Sequence, residues 1–303
     1  MVAVARRMEE AMACHYRGGS RYFLRQYAKI PSPHKPNEAA MATLSTIHLY
    51  PIKSTAGRMQ ESAWVGVEGI VGDRRFMVAK PDGTFLTART HPQLQRVTAT
   101  FDGQTLSLSH PQLPALELAV ETFDLATFAT TVWADDFDAW TTHARLDAWF
   151  SEVAGEPARL LWLGEQSARY RRSIEQRVSF ADGYPLLLIS EASLADLNTR
   201  TAEPHRMAQF RPNLVIAGTS AYAEDEWRRI RLGEVVFRVD KPCARCAMVS
   251  VDPATGTFKE GREPLRTLAG YRRGEGGKVY FGQNLIAENE GRITRHDRLE
   301  VLE

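Results

Sequence analysis

The sequence predicts a mixed α/β, β-rich fold, in which many short strands build barrel-like sheets and a few helices attach at the periphery. Three observations predict it. Short runs rich in β-branched and aromatic side chains recur from Thr43 onward, separated by turn residues. Over the same region only three stretches carry a helical period. Strands and helices also fail to alternate as a doubly wound parallel sheet requires.

In chain order, Thr43 to Ile52 reads as the first strand and ends at Lys53-Ser54. Trp64 to Val71 and Arg75 to Ala79 follow as short strands, and Pro81-Asp82-Gly83 turns the chain into Thr84 to Ala88. Arg96 to Phe101 and Thr105 to Ser109 flank Asp102-Gly103, a pair that supplies the positive φ a tight hairpin needs. Residues 115–134 read as further strands. Arg145 to Val153 is helical, with Leu146, Trp149, Phe150 and Val153 on one face and Gly155 to end it. Arg159 to Leu163 is a strand, and the stretch Gln166 to Gln176 is too polar to be core. The second half opens on a buried strand, Tyr184 to Ile189. Ser190 then caps a helix from Glu191 to Arg200. Leu214 to Ala217 and the Ile230 to Val239 hairpin around Gly233 are strands, Lys241 to Arg245 a loop, and Ala247 to Val251 another strand. Pro264 starts a short helix through Tyr271, and Lys278 to Val301 finishes with strands.

The totals bound the function. With 303 residues, 44% hydrophobic and 25% charged, the chain has room for two domains of ordinary globular composition. A net charge of +1 gives no basis for binding nucleic acid as a polymer. The longest apolar run, Tyr184 to Ile189, is strand-sized, far short of the roughly 18 residues a membrane span needs. Three cysteines (Cys14, Cys243 and Cys246) are too few for a secreted disulfide scaffold and fit a reducing, cytoplasmic compartment. Residues 1–40 combine five arginines between Arg6 and Arg25 with the loop-like Ile30 to Asn37. A targeting leader has such arginines, but Glu9, Glu10 and the lack of an apolar core favour a disordered or mis-started extension ahead of Met41.

The sharpest local feature is Lys241-Pro-Cys-Ala-Arg-Cys246. Thiolates bind metals, and neighbouring cations such as Lys241 and Arg245 favour the thiolate. Zinc needs four ligands, and no second Cys or His pair stands at suitable spacing. A thioredoxin-type motif belongs between a strand and a helix, whereas this one is expected between two strands. A structural pair of small thiols remains open on spacing alone. A second feature is the set of cations and amides at strand ends: Lys53-Ser54, Asp73-Arg74-Arg75, Phe210-Arg211-Pro212-Asn213 and Phe281-Gly282-Gln283-Asn284. Guanidinium forks and loop amides suit phosphates and planar heterocycles. Any one of them alone reads better as a surface ion pair. Asp252 suits a turn, Asp252-Pro-Ala-Thr-Gly256, better than a proton relay.

Eight segments in order resemble the MOSC family, in particular its two-domain branch of mitochondrial amidoxime-reducing components and bacterial relatives. They are Leu49-Tyr-Pro-Ile-Lys-Ser54, Gly72-Asp-Arg-Arg-Phe76, Phe85-Leu-Thr-Ala-Arg89, the run Ser190 to Asn198, Phe210-Arg-Pro-Asn213, Cys243-Ala-Arg-Cys246, Val251-Asp-Pro-Ala-Thr-Gly256 and Phe281-Gly-Gln-Asn284. The resemblance implies a MOSC N-terminal β-barrel domain over residues 42–163 and a MOSC β-barrel domain with peripheral helices over 164–303. It implies a molybdenum–molybdopterin cofactor with Cys246 as the metal ligand, beside the pterin dithiolene and oxo groups. Lys53, Ser54, Arg74 and Arg211 match positions that hold the pterin and its phosphate, and Arg245 and Asn284 match positions next to the cofactor. Gly183 and Tyr184 match a backbone-contacting segment, although the family carries small polar residues there. Cys243 is not expected to bind metal.

The implied activity is two-electron removal of oxygen from hydroxylamino bases, amidoximes or N-oxides as the metal cycles between Mo(IV) and Mo(VI). Two thiols besides Cys246 cannot build a four-cysteine iron–sulfur cluster, so electrons are expected from a separate ferredoxin-, flavin- or cytochrome-type donor protein. Two other classes stay open at this point. A cofactor carrier would release its cargo without turnover, and a persulfide carrier on Cys246 would need no molybdenum.

Overall fold

The computed structural model describes residues 41–303, so the expected extension over residues 1–40 lies outside the described residues. The largest element is an eight-stranded sheet. Its order is Arg58–Gln60, Thr43–Leu49, Leu214–Ala217, Leu186–Ser190, Tyr280–Ala287, Val235–Ala244, Arg229–Leu232 and Leu299–Val301. Leu186–Ser190 and Leu214–Ala217 run parallel, joined by the helices Glu191–Thr199 and Met207–Phe210, and the sheet's other pairings are antiparallel. The first strand, Thr43–Leu49, pairs with Leu214–Ala217 in the register Leu44↔Ile216 and Ile47↔Leu214. Its hydrophobic face therefore joins the core of Leu186, Leu188, Phe237 and Leu285, and the first and last strands of the described residues share one sheet.

A second body of strands follows in the middle of the chain. Phe76–Ala79, Arg159–Trp162, Asp135–Thr141 and Thr127–Val132 form a four-stranded sheet, and Thr98–Phe101, Thr105–His110 and Leu113–Ala119 form a meander. Phe76 stacks on Trp162 and meets Phe101 and Phe123 edge-on, so aromatic packing fills the core between these strands. The helix Ala144–Ala154 covers this core with Leu146, Trp149, Phe150 and Val153, and Gly155 closes it at φ 76°. Ser190 caps the helix Glu191–Thr199 through its Oγ, which accepts from the Ser193 N–H at 3.1 Å.

Four sequence expectations are corrected. Lys241 to Arg245 is not a loop, because the strand Val235–Ala244 continues through Pro242. Register shifts flank Lys241–Pro242, and such an irregularity admits a residue without an N–H. Ala247 to Ser250 is a 3₁₀ turn, not a strand, with the Val249 N–H bonded to the Cys246 carbonyl. Thr84 to Ala88 makes only a single bridge, Phe85 to Ala79, before the Thr87 carbonyl turns the chain by accepting from Thr90 and His91. The polar stretch at 166–176 contains Arg169, which is 1% exposed and lies inside the protein.

Candidate active site

Nine residues singled out from the sequence (Lys53, Ser54, Arg74, Gly183, Tyr184, Arg211, Arg245, Cys246 and Asn284) line one cavity of about 350 Å³. Its lining includes eight lysines and arginines against a single carboxylate, Asp182, so it is built for an anion. Three of the nine are not glycine yet hold positive φ: Ser54 at 68°, Arg74 at 47° and Arg211 at 57°. Ser54 and Arg74 lie in turns between strands, and Arg211 follows directly on the helix Met207–Phe210, ending it in the left-handed conformation. Backbone strain of roughly 1–3 kcal/mol per residue persists only where surroundings enforce it, and such residues cluster at functional sites.

The surroundings here centre on Tyr50. Two guanidiniums lie over its ring, Arg74 at 4.4 Å and Arg211 at 4.2 Å from the centroid, and its hydroxyl donates to the Pro212 carbonyl at 3.0 Å. A Cβ at Gly57 would stand 2.3 Å from the Tyr50 ring, so only glycine fits beneath it. Arg74 also donates to Asp73, and to Asn213 Oδ1 at 2.9 Å. Arg211 donates to the Thr55 carbonyl through one Nη, while its other Nη is buried without a partner among the described residues. Burial pulls Arg211 down to about 10, which leaves it charged at neutral pH.

The opposite wall is held by Lys53 and Asp182. Lys53 Nζ donates to the Phe180 carbonyl at 2.8 Å and to the Asp182 carboxylate. Desolvation opposes ionisation of Asp182. The Lys53 ammonium and the Trp133 N–H outweigh it and hold the carboxyl well below the usual range. Tyr184 turns its hydroxyl to Asp240, beneath the Lys241 ammonium at 4.9 Å from the ring.

Cys246 begins the 3₁₀ turn Ala247–Ser250 and is partly exposed at the cavity wall. The cationic field expected for it from Lys241 and Arg245 is distributed differently. Arg245 Nη1 is 3.1 Å from Cys243 Sγ and Nη2 donates to the Phe210 carbonyl at 2.5 Å, while Lys241 covers Tyr184. Arg245 Nε, like one Nη of Arg211, is buried without a partner among the described residues. Among the described residues no group of three His, Cys, Asp or Glu could hold a metal. A metal bound at Cys246 must therefore bring further ligands with it.

Sequence reasoning missed Tyr50, Asp182, Thr87, Arg171 and Lys278, and gave Arg89 no role. Tyr50 and Arg89 lie inside motif segments it had already noted, so a signal existed. Asp182 carried none, because its partner Lys53 is 129 residues away.

The MOSC N-terminal beta barrel domain matches residues 41–157, and the MOSC domain matches residues 175–300. The chain belongs to the MOSC family. Mitochondrial amidoxime-reducing component 1 of Homo sapiens is 31% identical over 283 residues, spanning 86% of this chain and 83% of that protein. Mitochondrial amidoxime reducing component 2 of Rattus norvegicus is 34% identical over 252 residues, covering 77% and 73%. Molybdenum cofactor sulfurase of Oryza sativa subsp. japonica is 31% identical over 264 residues, covering 79% of this chain but 32% of that protein. The β-rich fold of this MOSC chain thus comprises the N-terminal barrel domain followed by the MOSC domain. No helix among the described residues is long and apolar enough to cross a membrane.

Behind the cavity of this MOSC protein lies His48, whose pKa is lowered to about 4 by burial and then by Arg211 and Arg74. Folding favours neutral His48. Its contribution is therefore complete above pH 6.5 and is lost as pH falls towards 4. The expected loss is about 3 kcal/mol. Urea unfolding at a series of pH values checks it: His48→Gln is expected to flatten the decline between pH 6.5 and 4, and an unchanged slope contradicts the assignment.

Proposed function

We propose that this protein is a molybdenum-cofactor-dependent reductase of N-hydroxylated compounds (amidoximes, hydroxylamino bases and N-oxides). The observation that carries the proposal is the placement of the Cys246 thiol, with Cys243 beside it in the lining, on a strongly cationic cavity whose lining includes every pterin-site position expected from the sequence. The names of the human and rat relatives support the reductase reading over a carrier.

The residues present fit an anionic pterin phosphate with a sulfur-ligated metal. Thiolate is a soft ligand suited to a redox metal. The unpartnered donors Arg211 Nη2 and Arg245 Nε are buried groups that gain from an anionic acceptor. Arg211, Arg74 and Ser54 would hold the phosphate and pterin, and Asn284 with the Gly183–Tyr184 backbone would flank them. Lys53 is already bonded to Asp182 and Phe180, so it contributes its field and fixes that wall. When bound, the cofactor supplies the two-electron exchange that cleaves an N–O bond, with two protons taken up and water released. Electrons would come from a separate donor protein of ferredoxin, flavin or cytochrome type.

The test is turnover of benzamidoxime to benzamidine by cofactor-loaded protein, with a reduced viologen as chemical donor. Turnover that tracks molybdenum content is the expected result. Loaded protein without turnover would sink the reductase reading in favour of a carrier.

A further inference from the structure

We propose that Trp133 is a specificity-determining residue, an aromatic shelf at the cavity mouth that favours planar aryl and heteroaryl N-hydroxylated substrates over aliphatic ones. This inference rests on the reductase reading. Trp133 lies in the tight turn between the strands Thr127–Val132 and Asp135–Thr141, at a φ of 61°. That region suits glycine and is an outlier for a bulky side chain. Nor does the side chain fill a core, since Trp133 is 46% exposed.

An exposed, strained tryptophan is nevertheless held firmly, and cavity residues hold it. Its indole N–H donates to Asp182 Oδ1 at 3.2 Å, and the Arg89 guanidinium lies 3.9 Å from its ring. Phe85 meets it edge-on at 5.2 Å. Asp182 and Arg89 both line the cavity, and the Arg89 N–H is bonded to Thr87 Oγ1, another lining residue. Trp133 thus stands next to the lining, not in it, with the Arg89 guanidinium over its ring, and its exposed part is a fixed apolar surface beside an otherwise cationic cavity that also reaches Cys246. A planar π system gains by stacking there, whereas a small aliphatic group has no comparable surface to cover.

The experiment compares benzamidoxime with acetamidoxime on the loaded full chain, as wild type, Trp133→Leu and Trp133→Phe. Steady-state reduction by a viologen is paired with calorimetric binding to the oxidised protein, where no turnover occurs. Trp133→Leu is expected to raise KM and weaken binding for benzamidoxime by about five- to tenfold. Its kcat, and both parameters for acetamidoxime, stay near wild type. Trp133→Phe, which keeps a flat ring, retains most of the preference. Equal losses on both substrates would assign Trp133 a role only through Asp182 and overturn the proposal, as would no loss or a wild type that binds both alike. A wild type that reduces neither compound removes the reductase reading, and the calorimetric comparison then decides the shelf separately.

Discussion

Arg169→Met is expected to destabilise the protein by about 3–5 kcal/mol, the range for breaking a buried charge network from one side. The side chain is fully buried. Its Nε donates to Asp135 Oδ2 at 2.9 Å, and its Nη atoms donate to the carbonyls of Ser179, Ala181 and Asp182. Methionine fills the volume but leaves the carbonyls of Ser179 and Ala181 without a donor, and leaves Asp135 and the Asp182 carbonyl to Arg171 alone. At this chain length the loss corresponds to a fall in Tm of roughly 5–9 °C. The effect reaches the site as well, because the carbonyls bound by Arg169 belong to the segment that carries Asp182 against Lys53. Cofactor retention is therefore expected to fall below what the loss of stability alone produces. Thermal unfolding with cofactor content on the folded fraction checks both. A Tm within about 2 °C of wild type would show that the network contributes little.

Cys246→Ser is expected to lower turnover of an amidoxime by more than about 100-fold in protein matched for pterin content. A serine hydroxyl is a hard, weakly acidic donor that does not replace a soft thiolate on a redox metal. The pterin is expected to stay bound, since Arg211, Arg74, Ser54 and Arg245 are untouched. Cys243→Ser is the internal comparison. Cys243 contacts Arg245 at 3.1 Å and is assigned no metal, so its replacement should change turnover by no more than about threefold, the cost of weakening one hydrogen bond. Equal losses in the two variants would contradict the distinction between the cysteines.

The site was legible where its residues lie in short local patterns. Leu49-Tyr-Pro-Ile-Lys-Ser54 and Phe210-Arg-Pro-Asn213 each place a cation at a strand end, and the fold brings those ends to one cavity. Arg169 was not legible: a polar segment looks like surface until its partner Asp135 and the carbonyls of residues 179–182 are known. The strand through Lys241 and Pro242 was missed for a related reason. Proline argues against a strand locally, and only the partner strand Tyr280–Ala287 reveals the irregular register that accepts it. Ala247 to Ser250 went the other way. A short apolar run suits a strand, but the Cys246 carbonyl accepts from Val249 and coils the segment, putting Val249 in one core cluster with Phe210 and Phe281.

The most direct test of the central claim measures molybdenum and oxidised pterin per chain, and sulfur neighbours of the metal by X-ray absorption, for wild type beside Cys246→Ser. The account predicts about one molybdenum and one pterin per wild-type chain, and one sulfur neighbour fewer in the variant. Wild-type protein that stays metal-free in cells making the cofactor, or an unchanged sulfur count in the variant, would contradict it.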